Sequence, residues 1–297
     1  MASANTFEYH KAKSLDDALG MLEKHGGLAR ILAGGTDLAV MIKEGTLSPS
    51  YLVDIKGLSE LDRIEFSEGR LWIGALVTFE KLAWSDVVRD RFPVLHDSAK
   101  SVASVGIRNR ATIAGNICTA VPSLDSAPAL LVYEARVHLK SRGFDRSVPI
   151  SDFFLAPRRT SMNEKEIVTG ISMDLPKSRH AGCYVKLSRY RGEDLAQVGI
   201  SVMLLEDKKY RVAHCAASAI PKRAYAVEKI LEGKDLTPEV FTSVRDAIRK
   251  EISPITDIRA SRHYRFHMAG VMIERGLKAA AARFRGENVD ISGILGG

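Results

Sequence analysis

The chain has 297 residues, 45% of them apolar, enough to bury a substantial core in about two domains or one domain with appendages. No apolar run approaches the roughly 20 residues of a membrane helix, and the N-terminus has neither the basic nor the apolar region of an export signal; a soluble, cytoplasmic protein is expected, unless a partner carries the signal. The formal net charge of +7 lies in residues 178–297, which hold 21 Lys and Arg against 14 Asp and Glu, but these are scattered without interleaved aromatics or a DNA-binding motif, so a solvated face or a docking surface for an acidic partner is expected and a nucleic-acid partner is not.

A short strand is expected over 7–10, then a helix from Ser14, whose hydroxyl can cap free amides with Asp17 at the third helical position. Leu15, Ala18, Leu19 and Leu22 give this helix one apolar face. A second strand, 30–33, leads through Gly34-Gly35-Thr36-Asp37 into a helix over Leu38–Lys43, and an apolar run at 51–55 completes a β-α-β-α-β rhythm that predicts a small parallel sheet. From about Gly57 the pattern changes to short strands at 71–74, 137–140 and 167–174, with helical stretches at Phe79–Trp84 and 94–104, which predicts a mixed α+β unit. Beyond Pro176 come strands at 182–188, Val198–Leu205 and 211–219, then helices beginning near Pro221, Pro238 and Arg259. The pattern divides the chain into 1–56, 57–177 and 178–297, with the second boundary inside 175–179.

The three cysteines, Cys118, Cys183 and Cys215, are widely spaced and form no Cys/His ligand cluster, so buried free thiols are expected and a metal site is not. His138, His214 and His263 read as core or surface histidines.

Two loops carry the chemistry. In the first, Ala33-Gly34-Gly35-Thr36-Asp37-Leu38, paired glycines at a strand end let backbone amides approach an anion, for which a diphosphate is the natural ligand. The loop is neither a Walker A motif nor a GxGxxG fingerprint, and by itself a Gly-Gly turn also serves as a plain strand-to-helix connection. The second loop, 105–116, followed by 123–129, combines small residues, amide and hydroxyl donors and the carboxylate of Asp125, which can accept from a sugar or adenine group. Its alternative reading is a polar loop that caps its own helices.

The motifs AGGTDL (33–38), IGALVTFEKL (73–82), VGIRNRATIAGN (105–116), SLDSAPALL (123–131), YVKLSR (184–189) and DIRAS (257–261) together resemble the flavin subunit of the molybdenum hydroxylases, the family of xanthine dehydrogenase and carbon monoxide dehydrogenase. The likeness runs through nearly the whole chain in order. It implies an α+β, vanillyl-alcohol-oxidase-type (PCMH-type) FAD-binding fold: an N-terminal β-α-β unit, a mixed middle domain and a C-terminal antiparallel sheet with helices.

The resemblance also implies the site. Leu32, Ala33, Gly34, Gly35, Thr36, Asp37 and Leu38 would grip the FAD diphosphate together with the region of Val105, Gly106, Arg110, Thr112, Gly115 and Asn116, with Ala75 and Thr78 beside the cofactor. Asp125 would contact the ribitol or ribose end, and Lys186 would lie near the pyrimidine edge of the isoalloxazine, where a cation stabilises the anionic reduced flavin. Tyr190 and Arg191 stand where some relatives place an aromatic residue over one flavin face. Ala114 replaces a glycine of some relatives, and the four-cysteine insertion of the 4-hydroxybenzoyl-CoA reductase branch is missing.

The function implied by this resemblance is that of an electron-transfer oxidoreductase subunit. A large partner would hold a molybdopterin-type molybdenum cofactor and choose the organic substrate, a small partner would hold two 2Fe-2S clusters, and the whole would form a hetero-hexamer. The alternatives are a stand-alone FAD-dependent oxidoreductase and a non-catalytic docking subunit; the glycines Gly34, Gly35, Gly106 and Gly115 argue against the latter.

Overall fold

A computed structural model describes residues 6–190 and 193–291. The first unit contains β1 (Glu8–Lys11), α1 (Leu15–His25), β2 (Ala29–Leu32), α2 (Leu38–Lys43) and β3 (Tyr51–Asp54). Its three strands lie in the order β1-β3-β2, and both pairings are parallel, with Tyr51 opposite Glu8 on one side and Ala29 on the other. Parallel neighbours need crossovers, and α1 and α2 occupy them. Ser14 caps α1 by accepting from the Asp17 N–H at 3.1 Å, and Ala18, Leu19 and Leu22 are buried, as the apolar spacing requires.

The middle unit begins with β4 (Ile64–Ser67) and β5 (Arg70–Gly74). It continues through α3 (Phe79–Trp84), α4 (Asp86–Arg91), α5 (Pro93–Ser101), α6 (Val105–Arg108), α7 (Ile113–Thr119) and α8 (Ser126–Val132). After these come β6 (Arg136–Ser141), β7 (Phe144–Pro149), α9 (Ile150–Phe153), the small hairpin β8 (Phe154–Ala156) and β9 (Arg159–Thr160), and β10 (Ile167–Asp174). Five of the strands form one sheet in the order β4-β5-β10-β6-β7, every pair antiparallel. The last strand in sequence is the central one, and it is the most buried; a strand flanked on both sides loses the most water-exposed surface.

The third unit is a meander of β11 (His180–Leu187), β12 (Val198–Leu205), β13 (Lys209–Cys215) and β14 (Lys222–Arg223), followed by α10 (Tyr225–Leu231), α11 (Pro238–Glu251) and α12 (Arg262–Phe284). Its sheet is buried on both faces. Cys183, Val185, Ile200, Val202, Leu204 and Val212 join a core with the three helices, while Tyr184, Met203, Ala213 and Cys215 join the core of the first two units. That double burial explains the near-continuous apolar runs of β11 and β12. The antiparallel third sheet rests against α5 and α8 of the middle unit.

Several local expectations change. The helix expected near Pro221 is preceded by β14, because Lys222 and Arg223 pair with β13, and the helix proper starts at Tyr225. The strand expected over 211–219 ends at Cys215, where Ala216 turns into the left-handed region. The stretch 94–104 is one helix that ends at Ser101, and the chain breaks at Ala103, with φ 39°, before α6 begins. The last helix starts at Arg262 with Ser261 as its cap. Cys183 and Cys215 are buried, but Cys118 is exposed, because it sits on the wall of a surface cleft.

Candidate functional site

The loop after β2 lies directly on the loop before α7. A Cβ added to Gly34 would stand 2.1 Å from the carbonyl oxygen of Arg110, so only glycine lets the two backbones meet. Gly35 is glycine for a different reason: its φ is 77°, and an added Cβ would meet only Leu32 Cδ1 at 3.0 Å. The second loop is tied to the start of α3, where Thr78 and Thr112 form an isolated antiparallel bridge. Phe79 N–H donates to the Ala111 carbonyl at 3.0 Å and Ile113 N–H to the Val77 carbonyl at 3.2 Å.

Between these loops and the β8–β9 hairpin opens a cleft of about 850 Å³, within the range of cofactor sites. Ala33, Gly34, Gly35, Thr36, Asp37, Leu38, Ala75, Thr112, Gly115 and Asn116 line it, so most of the expected site converges here. The main-chain N–H groups of residues 34–38, and that of Ala114, find no acceptor among the described residues. A row of open amides at a glycine turn has the donor chemistry to receive an anion.

The side chains complete the donor set. Thr112 Oγ1 accepts from the Gly115 N–H at 3.0 Å as the cap of α7, which uses the Gly115 amide and leaves the Thr112 hydroxyl proton to donate. Asn116 Oδ1 accepts from Ser126 Oγ at 2.7 Å; this network assigns the Asn116 NH2 as the free end. Arg30, Arg158 and Arg159 add cations to the wall. They carry no recognisable motif in the sequence: Arg158 and Arg159 come from a hairpin more than a hundred residues from the first loop. The cleft also holds Asp37, whose carboxyl is raised by the packing around it and drawn back down by Arg158. Glu166, also on the wall, is neutralised by Arg146 at 2.6 and 2.8 Å.

The other expected residues stand elsewhere. Leu32, Thr78, Val105, Gly106 and Arg110 support or flank the loops without lining the cleft; Val105 is exposed on α6, and an added Cβ at Gly106 would meet nothing nearer than Ser104 Oγ at 3.9 Å. Asp125 and Lys186 are brought together instead at the junction of α8 with β11. Lys186 Nζ donates to Asp125 Oδ2 at 2.8 Å and to the Ser101 carbonyl at 3.0 Å. Tyr184 Oη donates to Asp125 Oδ1 at 2.6 Å. All three side chains are buried. Burial raises the Asp125 carboxyl while Lys186 and Tyr184 pull it down, and burial beside that carboxylate pushes the Tyr184 phenol well above its usual value. Tyr190 is exposed, with the Arg189 guanidinium 5.5 Å from its ring centre; Arg191 lies outside the described residues.

The chain is similar to known proteins in sequence and in fold. Residues 5–177 match the family described as the FAD binding domain in molybdopterin dehydrogenase, and residues 183–280 match the CO dehydrogenase flavoprotein C-terminal domain. The chain is 32% identical over 278 residues to the glyceraldehyde dehydrogenase medium chain of Sulfolobus acidocaldarius, covering 93% of this chain and 98% of that one. It is 30% identical over 285 residues to the putative xanthine dehydrogenase FAD-binding subunit of Escherichia coli, with 94% and 97% covered. A solved chain of carbon monoxide dehydrogenase from Hydrogenophaga pseudoflava superposes with a TM-score of 0.90 at 33% identity, covering 93% of this chain and 98% of that chain. With an α+β fold of the PCMH type, these full-length matches make the chain a member of the FAD-binding subunits of the xanthine and carbon monoxide dehydrogenase family, an oxidoreductase component.

Proposed function

We propose that this chain is the electron-transfer subunit of a molybdenum-dependent hydroxylase or dehydrogenase, with FAD seated in the cleft between the two loops. The observation that carries the reading is the open row of amides at residues 34–38 facing Thr112 and Asn116, a donor set that suits a dinucleotide diphosphate. FAD supplies the junction chemistry: it takes electrons singly and returns them as a pair.

In this reading the chain's own residues bind, orient and tune. The amides of residues 34–38 and the Thr112 and Asn116 side chains hold the phosphates and Ala75 packs beside the cofactor, while the buried Asp125–Lys186 pair fixes the third sheet against the middle unit. A small partner with 2Fe-2S clusters would deliver the electrons, a large partner with a molybdopterin-type cofactor would oxidise the organic substrate, and NAD, oxygen or another acceptor would drain the flavin, in a hetero-hexamer. The names of the relatives as medium chains and FAD-binding subunits support an assembly of several chains. The division at 1–56, 57–177 and 178–297 belongs to the same reading and is supported by the separate sheets.

The test is the absorption spectrum of the protein purified with its native partners, followed by identification of the released flavin. FAD bands over a broad iron–sulfur background are expected. FAD without partners would instead mark a free-standing flavoenzyme, and a colourless protein a docking subunit.

A further inference from the structure

We infer that Arg158, at the tip of the β8–β9 hairpin, is a direct ligand of the FAD diphosphate, a cationic counterpart to the amide cradle across the cleft. The inference rests on the reading of this cleft as the FAD seat.

Three observations carry it. Arg158 lines the same cleft as Gly35, Thr36 and Thr112, yet among the described residues its guanidinium has no carboxylate within ion-pair distance and only a weak contact from Nη1 to the Met41 sulfur at 3.8 Å. Arginines away from the cleft wall are answered by carboxylates, Arg146 by Glu166, Arg108 by Glu80 and Arg142 by Glu23, whereas on the wall Arg30 donates to the Gly27 and Ala29 carbonyls and Arg159, next to Arg158, likewise has no ion pair among the described residues. A planar cation held at a cleft wall without a protein anion suits the fork geometry of a phosphate.

The backbone supplies the second. Arg158 has φ 59°, a left-handed conformation that costs a non-glycine residue about 1–2 kcal/mol. The chain nevertheless keeps a large side chain there. It fixes the turn by a hydrogen bond from the Arg158 N–H to the Ala120 carbonyl at 2.8 Å, and Ala120, which ends α7, is itself left-handed. Strain of this kind collects where a side chain must be aimed.

The third is the local field. Asp37 is the acidic residue of the first loop, and Arg158 is the cation that lowers its otherwise raised carboxyl. Arg158 thus sets a positive charge beside the carboxylate that the first loop brings to the rim.

The test titrates the full chain, freed of flavin, with FAD and follows flavin fluorescence. Arg158→Gly removes the charge while accepting the left-handed backbone, and Arg158→Lys keeps the charge and the strain. Arg158→Gly is expected to bind FAD roughly tenfold to a hundredfold more weakly, with no fall in the melting temperature of the flavin-free form, and Arg158→Lys to lie between it and the parent. FAD affinity within about twofold of the parent for Arg158→Gly, or equal losses in both variants, would overturn the assignment while leaving the cleft as the FAD seat. Failure of the parent protein itself to take up FAD would instead remove the reading beneath it.

Discussion

The cleft between the first two units and the junction between the second and third are both rich in polar groups, and they deal with them in opposite ways. At the junction, Asp125, Tyr184 and Lys186 answer one another and the Ser101 carbonyl in a dry setting. At the cleft, among the described residues, the amides of residues 34–38 are left without acceptors and the Arg158 guanidinium has no anion, only a weak contact to the Met41 sulfur. Buried polar groups are expensive unless paired. The junction therefore has the character of a structural weld, and the cleft that of a seat whose missing partner is a ligand.

The largest effect expected comes from the weld. Lys186→Met leaves the Asp125 carboxylate buried and facing only Tyr184, so unfolding in urea should show a loss of about 3–5 kcal/mol, the usual cost of orphaning one member of a buried ion pair. Adding Asp125→Leu should recover much of it. If Lys186→Met kept its stability and lost only flavin, the pair would belong to the seat and the contrast between the two regions would collapse.

Next is the seat itself. Gly35→Val forces a β-branched residue to φ 77°, so the loop must rearrange and FAD binding should weaken by about a hundredfold or more, roughly 3 kcal/mol. A blocked approach to the diphosphate is not the only cause, since the backbone angle alone forbids the substitution. Unchanged affinity would place the diphosphate elsewhere.

A third region sharpens the comparison because it follows neither rule. His214 is fully buried, and neither ring nitrogen has a partner among the described residues. Burial, helped by Lys222, pushes its pKa down to about 4, below an unfolded value near 6.5. The unfolded chain then binds a proton that the folded one does not, so stability falls as pH drops from about 6.5 to about 4, by about 3–4 kcal/mol in total, and changes no further below that window. His214→Leu should flatten this limb in denaturant midpoints measured across roughly pH 4–7; an unaltered limb would mean that other groups carry it.

The sequence made some of this legible and hid the rest for physical reasons. The parallel first sheet was readable because its helix caps and apolar spacing are local, and both glycine loops announced themselves by composition. Their mutual packing, Arg110 against Gly34, was not readable, because it joins backbone to backbone without a side-chain signal. Nor was β14, a two-residue strand of Lys222 and Arg223 that exists only because β13 lies beside it. Arg158 was invisible for the same reason: its meaning comes from a hairpin that folds across to the first loop. Asp125 and Lys186 were both picked out, but their pairing is a tertiary fact over 61 residues of separation.

The most direct test of the seat is hydrogen–deuterium exchange of the full chain with and without FAD. The account predicts that FAD slows exchange most at the amides of residues 34–38 and at Ala114, the donors left open in the fold. Protection that falls elsewhere, with these amides exchanging at unchanged rates, would contradict it.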